Sequence, residues 1–201
     1  MKESLNSVLF EPDSVPFGVT IPEWIIRWWR WLLTSSLETN PASDKLGICS
    51  ELRQDDPYMW FLAGTFGGSA NRTCNVPVGR AILIPIINYE CSFADEPLIT
   101  SEQELELKCK KEIDDIKHLS VSIDGVTFTN LERYRVRSPV FSINLKENNI
   151  LGVNSGLTKM ITDGFWIFLK PLKIGDHNVT SYGSCRSGKI RIQTTYNLNI
   201  A

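Results

Sequence analysis

In "KIGDHNV" Asp176 stands next to His177, and Asp163 precedes Gly164, so carboxylate and imidazole side chains could meet as a general acid–base pair. Two such carboxylates flanking a glycosidic bond would give a glycan-acting hydrolase. Asp-Gly and Gly-Asp are also among the commonest turn signals, which explains both aspartates without chemistry. The chain has no G-x-S-x-G, no H-E-x-x-H and no recognisable cysteine nucleophile. No catalytic residue is assigned on these grounds; Asp163, Asp176 and His177 remain the candidates.

Metal chemistry has less support. No C-x-x-C occurs, only His118 and His177 could complete a zinc site, and Asp44, Asp55 and Asp56 lack calcium-loop spacing. Neither a metal nor a cofactor is expected. "GTFGGSANR" is glycine-rich but lacks the Gly-Lys-Ser/Thr ending of a phosphate loop, and reads as a tight turn. The densest basic and aromatic cluster is Arg133, Tyr134, Arg135 and Arg137. In an extended strand its arginines would share one face, and Tyr134 and Val136 the other. A solvated face accounts for that pattern; an anionic glycan or a protein is the functional alternative.

Four of six tryptophans, Trp24, Trp28, Trp29 and Trp31, fall within "PEWIIRWWRWLLTSS". Thr20-Ile-Pro-Glu23 reads as a capping box with proline in the first turn, so a helix begins there. At helical spacing Glu23, Arg27, Arg30 and Thr34 form one narrow polar stripe. Membrane-surface helices show a broad basic face, so this helix reads as packed on the core, with Arg27 and Arg30 toward solvent. Trp60 and Trp166, with Tyr134 and Tyr182, are then the aromatics left to stack on a sugar, and Trp166 is favoured because it follows a turn.

"YMWFLAG" and "AILIPII" are short apolar runs, as in strands buried on both faces, with Pro85 marking an edge or bulge. "TSEQELELKCKKEIDDIKHL" is a second helix, capped by Ser101 and Glu104, with Leu105, Cys109, Ile113 and Ile116 inward. "LSVSIDGVTF" turns at Asp124-Gly125, and "KIRIQTTYNLNI" alternates as a long half-buried strand. Roughly eight strands with two helices predict a mainly β fold: an antiparallel β-sandwich or jelly roll with the Trp-rich helix and the second helix packed on it. Its 201 residues fit a single domain, 1–201, with 1–19 an extended N-terminal segment.

With 21 basic and 23 acidic residues the net charge is −2, which gives no global attraction to nucleic acid. No apolar run spans a bilayer, "MKESLNSVLFEPDS" lacks the apolar core of a leader, and membrane contact is not expected. The sequons at Asn71 and Asn178 are compatible with export. Disulfides are the better reading of the cysteines. Cys49 and Cys74 could meet at one end of a sheet, and Cys109 on the inward stripe of the second helix faces Cys91, leaving Cys185 free. Loops of roughly 20–25 residues would each contribute about 3 kcal/mol when closed.

"WWRWLLTSS", "NPASDKLGIC", "MWFLAGTFGG", "RTCNVPVGRAILIPIIN", "SIDGVTFTNLERYRVRSPVF" and "TDGFWIFLKPLKIGDHNV" together resemble an uncharacterised family of predicted secreted or envelope proteins in microbes, from about Trp24 onward. The resemblance implies an exported domain with paired cysteines at Cys49, Cys74, Cys91 and Cys109, and implies no activity. The expected role is that of an exported, non-catalytic binding or structural/adhesion domain recognising carbohydrate or protein through Trp166, Trp60, Tyr134 and Arg135. The alternatives are the glycan hydrolase near Asp163 and Asp176, and membrane-surface association through the tryptophan helix.

Overall fold

The computed structural model describes residues 5–44, 47–49 and 51–201. In chain order its elements are α1 (Leu5–Val8), α2 (Ile21–Leu33), β1 (Met59–Phe61), β2 (Gly68–Val76), β3 (Ala81–Ser92), α3 (Glu102–Asp114), β4 (Ile116–Ile123), β5 (Val126–Phe128), β6 (Arg135–Arg137), β7 (Phe141–Leu145), β8 (Gly156–Leu169), β9 (Gly175–Cys185) and β10 (Arg191–Ile200). The fold is mainly β, with two five-stranded sheets. The inner sheet has the order β1-β3-β8-β6 with β7 also on β8; the outer sheet has the order β2-β10-β9-β4-β5. Both sheets are mixed, because β1–β3 and β2–β10 pair in parallel, where an all-antiparallel arrangement was expected. The cause is topological: the chain leaves the inner sheet after β1, runs through β2 in the outer one, and returns as β3 beside β1.

The inner sheet is covered on both sides. Ile82, Ile84, Phe165, Ile167 and Leu169 share one apolar cluster with Val121, Val179, Tyr196 and Leu198 of the outer sheet. Met59, Phe61, Leu83, Trp166 and Phe168 point the other way, into a cluster with α2. This double cover is why β1, β3 and β8 read as unbroken apolar runs, whereas β10 alternates with Thr194, Tyr196, Leu198 and Ile200 inward.

α2 starts where Thr20 accepts the Glu23 backbone N–H, with Pro22 in the first turn. Nine of its thirteen residues are buried, so the helix lies against the fold over most of its circumference. Three indoles also tie it to loops: Trp24 Nε1 donates to the Pro16 carbonyl (3.2 Å), Trp28 to Leu62 (2.9 Å) and Trp31 to Leu52 (3.0 Å). Arg27 stays on the solvent side, bonded to Glu23 and Asp56, and Arg30 is exposed. No helix among the described residues is long and apolar enough to cross a membrane.

α3 carries the reciprocal Ser101–Glu104 capping box and buries Leu105, Cys109 and Ile113. Ile116, expected on that helix, opens β4 instead because the helix ends at Asp114. The Asp124-Gly125 hairpin between β4 and β5 forms with both residues at positive φ (49° and 81°). Residues 1–4 of the segment expected to be extended lie outside the described residues; the rest forms α1, a bridge from Leu9 to Leu169, and a 3-10 turn at Pro16–Gly18.

The Cys49–Cys74 disulfide is present, joining the loop after α2 to β2. The second expected bridge is not: Cys91 and Cys109 are buried, unbonded thiols in one small cluster with Leu105 and Ile161. The Cys109 thiol donates to the Tyr89 carbonyl (3.3 Å) and lies beside Cys91, so the pair serves as neighbouring apolar groups with satisfied hydrogens. Cys185 is free, as expected.

Candidate functional site

The cleft of interest arises from a mismatch in strand length. β1 pairs with β3 only from Ala81 to Leu83, whereas β3 continues to Ser92 with β8 on its other side alone. The bare edge of β3 therefore lines a cleft of about 510 Å3, within the range of small-ligand sites. Trp28, Trp29 and Leu32 of α2, Glu112 and Ile113 of α3, the Lys189–Ile192 segment and the Gly64–Gly68 loop complete its lining.

Within β3 the register shifts between Pro85 and Ile87, so Ile86 is the extra residue of a bulge, as the proline suggested. Beyond it the faces swap: Ile87 and Tyr89 turn toward the outer sheet and α3, and Asn88 and Glu90 toward the other face. Gly183 of β9 makes this packing feasible, since a Cβ there would lie 2.7 Å from the Ile87 side chain. Missing one backbone donor and bent by the bulge, this edge is a poor template for an added strand. Its surroundings suit a compact ligand better than an extended peptide.

Glu90 and Asp95 form the polar centre. Ser92 fixes Asp95 by giving both its backbone N–H and its hydroxyl to Oδ1 (2.6 Å each). The Glu90 carboxyl lies within reach of the charge on Asp95, and its Oε2 is shielded from solvent with no protein partner. Trp29, also in the lining, likewise carries a buried Nε1 without an acceptor. Burial pushes the Glu90 carboxyl well above its ordinary value, and the charge of Asp95 adds to the shift. Burial also pushes the Tyr89 hydroxyl up to about 12. Glu112, from α3, is engaged by Lys108 (3.2 Å).

The raised Glu90 pKa makes stability depend on pH. Folded Glu90 keeps a proton that the unfolded chain, titrating near 4.5, releases. Its contribution is complete below that value and is lost as pH rises toward the folded one, by up to about 1.4 kcal/mol per pH unit. Glu90→Gln, neutral throughout, should remove this component, so urea midpoints from about pH 4 to 8 should fall more steeply with pH in the wild type. Parallel pH profiles for the two proteins would show that Glu90 is ionised in the fold.

The residues singled out in the sequence lie elsewhere. Trp60 is 5% exposed and Trp166 and Tyr134 are 0% and 1%, all core side chains that offer no face to a sugar. Trp166 follows a turn in sequence, yet β8 runs unbroken through it and places it beneath Trp28, with ring centroids 5.1 Å apart. Arg135 is occupied too: Nε and one amino group clasp both oxygens of the buried Asp163 (2.9 and 2.7 Å), and the other amino group reaches Asp114 (2.7 Å). That pairing raises Arg135 above its ordinary value. Arg133 pairs with Glu11 and Arg137 with Glu106 (4.0 Å), so each arginine of the cluster has a carboxylate partner. Tyr134 and Val136 do not share a face: Tyr134 sits in a 3-10 turn and enters the inter-sheet core, while Val136, in β6, packs toward α2.

Asp163 and Asp176 stand on different sheets. His177 pairs with neither; its Nδ1 lies 2.7 Å from Asp124. Burial pulls the His177 imidazole down, but the hydrogen bonds with Asp124 and the Lys173 carbonyl outweigh it and leave it above its ordinary value.

Glu90 and Asp95 were not singled out from the sequence, and Trp29 was named only as part of the tryptophan helix. A carboxylate two residues beyond "AILIPIIN", in a strand covered on both faces, was the available signal, since a buried acid needs a partner or a proton. No family model, curated protein or solved structure matches this chain. The functional reading accordingly rests on the cleft.

Proposed function

We propose that this chain is an exported, non-catalytic binding module of the β-sandwich type, and that the β3-edge cleft holds a neutral saccharide of one or two sugar units. The observation that carries this is the cleft beside the bare edge of β3, about 510 Å3 with largely apolar walls that include Trp28 and Trp29 and with the carboxyl groups of Glu90 and Asp95 in its lining. Sugar hydroxyls, which both donate and accept, suit a lining that sets carboxyl groups among apolar and aromatic walls. Export is supported by the Cys49–Cys74 disulfide, a bond that persists in oxidising compartments.

Binding is favoured over hydrolysis because the acids that the sequence offered do not act together: Asp163 is clasped by Arg135 and stands on a different sheet from Asp176. The membrane reading is disfavoured because Trp24, Trp28 and Trp31 are all buried.

A neutral-glycan array followed by calorimetry tests the proposal. Glu90→Ala should weaken binding of the best glycan by about tenfold or more, as the loss of a hydrogen-bonding group from the cleft lining would. Equal affinity of wild type and Glu90→Ala, or no binding across the array, would remove the cleft as a saccharide site.

A further inference from the structure

The outward face of the outer sheet is unusual in what it lacks. Although 44 of 201 residues are charged (21 basic plus 23 acidic), the middle of this five-stranded face carries amides and hydroxyls only. One complete row across the strands reads Asn71, Thr195, Thr180, Ser122, Thr127. The next row places Gln193 beside Tyr182, a half-exposed phenol in the body of the face. The ionisable groups in register on this face stand at its opposite ends, Asp176 near the last residue of β10 and Arg191 and His118 near the first.

A solvated sheet face ordinarily mixes lysine, arginine and glutamate with its polar residues, which keeps it soluble and blocks association. Here the side chains are instead tied to one another. Asn197 donates to Asn71 (2.9 Å) and accepts from Asn178 (3.0 Å), Asn199 donates to Asn75 (3.3 Å), and the Thr180 and Thr195 hydroxyls are 3.1 Å apart. These cross-strand bonds fix the side-chain orientations in the free protein, so less rotamer entropy is lost when a ligand lands. The outcome is a lattice of neutral donors and acceptors, about 4.8 Å apart between strands and about 6.7 Å apart along them, around one aromatic ring.

We propose that this face is a second binding surface, and that its occupant is a linear neutral polysaccharide. A polyhydroxylated chain without charge matches a face without charge, hydroxyl for hydroxyl and amide, and Tyr182 supplies the apolar plane on which a sugar ring stacks. A second copy of this chain fits less well, because stable homodimers bury an apolar centre, which these rows lack. An anionic partner would meet no cation in the middle of the face. The inference is independent of the cleft: the cleft takes a short sugar by its end, and the sheet takes a long chain along its length.

Depletion assays on microcrystalline cellulose and on chitin, with the full chain, test the surface. The wild type should partition onto at least one of them, and Tyr182→Ala should lower apparent affinity about tenfold. Thr180→Lys/Thr195→Lys places two cations in the middle of the lattice and should abolish retention, while Asn197→Ala, milder toward the fold, should weaken it severalfold. Unchanged thermal midpoints confirm that each variant is folded. Glu90→Ala, in the cleft, should be retained like the wild type. No retention of the wild type on either polymer, equal retention of the lysine variant, or loss only in Glu90→Ala would each overturn the proposal. So would sedimentation showing a dimer that the lysine pair dissolves, since the face would then be a self-interface.

Discussion

Replacing Trp28 by alanine should lower the unfolding free energy by about 3–5 kcal/mol, measured by urea titration at constant slope. The residue is 3% exposed, and its ring meets Trp29 (5.0 Å between centroids) and Trp166 (5.1 Å) edge to face. Truncation opens a cavity between α2 and the inner sheet and leaves the Leu62 carbonyl without its indole donor. Trp28→Phe, which keeps most of the volume and loses the hydrogen bond, should cost clearly less. The wild type should also emit in the blue and shift red only on unfolding, with no change on mixing with anionic vesicles. Red-shifted emission in buffer, or a Trp28→Ala variant as stable as the wild type, would mean that the helix stands free for a membrane.

The fate of the tryptophan helix shows what the sequence could convey. Its polar stripe of Glu23, Arg27 and Arg30 is a local pattern, and local patterns report burial directly. The Asp124-Gly125 hairpin, the Pro85 bulge and the Ser101 cap were legible for the same reason: each is decided by a few adjacent residues. Pairing order is not decided locally. Nothing in "YMWFLAG" states that β1 is three residues long while β3 is twelve, and that inequality is what opens the cleft. Trp166 looked available because a turn before it is visible in sequence, whereas the helix covering it, with Trp28, comes more than 130 residues earlier (166 minus 28 is 138). Glu90 was hidden by the opposite effect, since only the tertiary cover on both faces of β3 raises the pKa of an otherwise ordinary glutamate. The arginine cluster illustrates a third limit. Period-two reasoning presumed a strand through Arg133–Arg137, but the strand starts at Arg135, and the preceding turn sends Tyr134 into a different core from Val136.

Arg135→Met should be among the most destabilising single changes in the chain, at about 3–5 kcal/mol, because it strips a buried charge of its partner. Asp163 is 2% exposed, and both of its oxygens receive Arg135. Without the guanidinium, the carboxylate must either stay ionised in a medium that solvates it poorly or take up a proton, and each course costs stability. The partner change separates loss of an attraction from exposure of an orphan. Asp163→Leu in the Arg135→Met background removes the stranded charge and restores an apolar contact, so the double variant should recover most of the loss. Arg135 also holds Asp114 at the end of α3, where hydrogen bonds from Lys110 and then Arg135 keep that carboxyl below its ordinary value. The single variant should therefore loosen α3 as well, visible as faster amide exchange over Glu102–Asp114. A ligand-binding arginine beside a catalytic aspartate would behave differently. Its removal would alter affinity or turnover while leaving stability within about 0.5 kcal/mol, as surface changes do. Urea unfolding of the two single variants and the double decides between the roles, and a stable Arg135→Met protein would return Arg135 and Asp163 to the list of residues available for function.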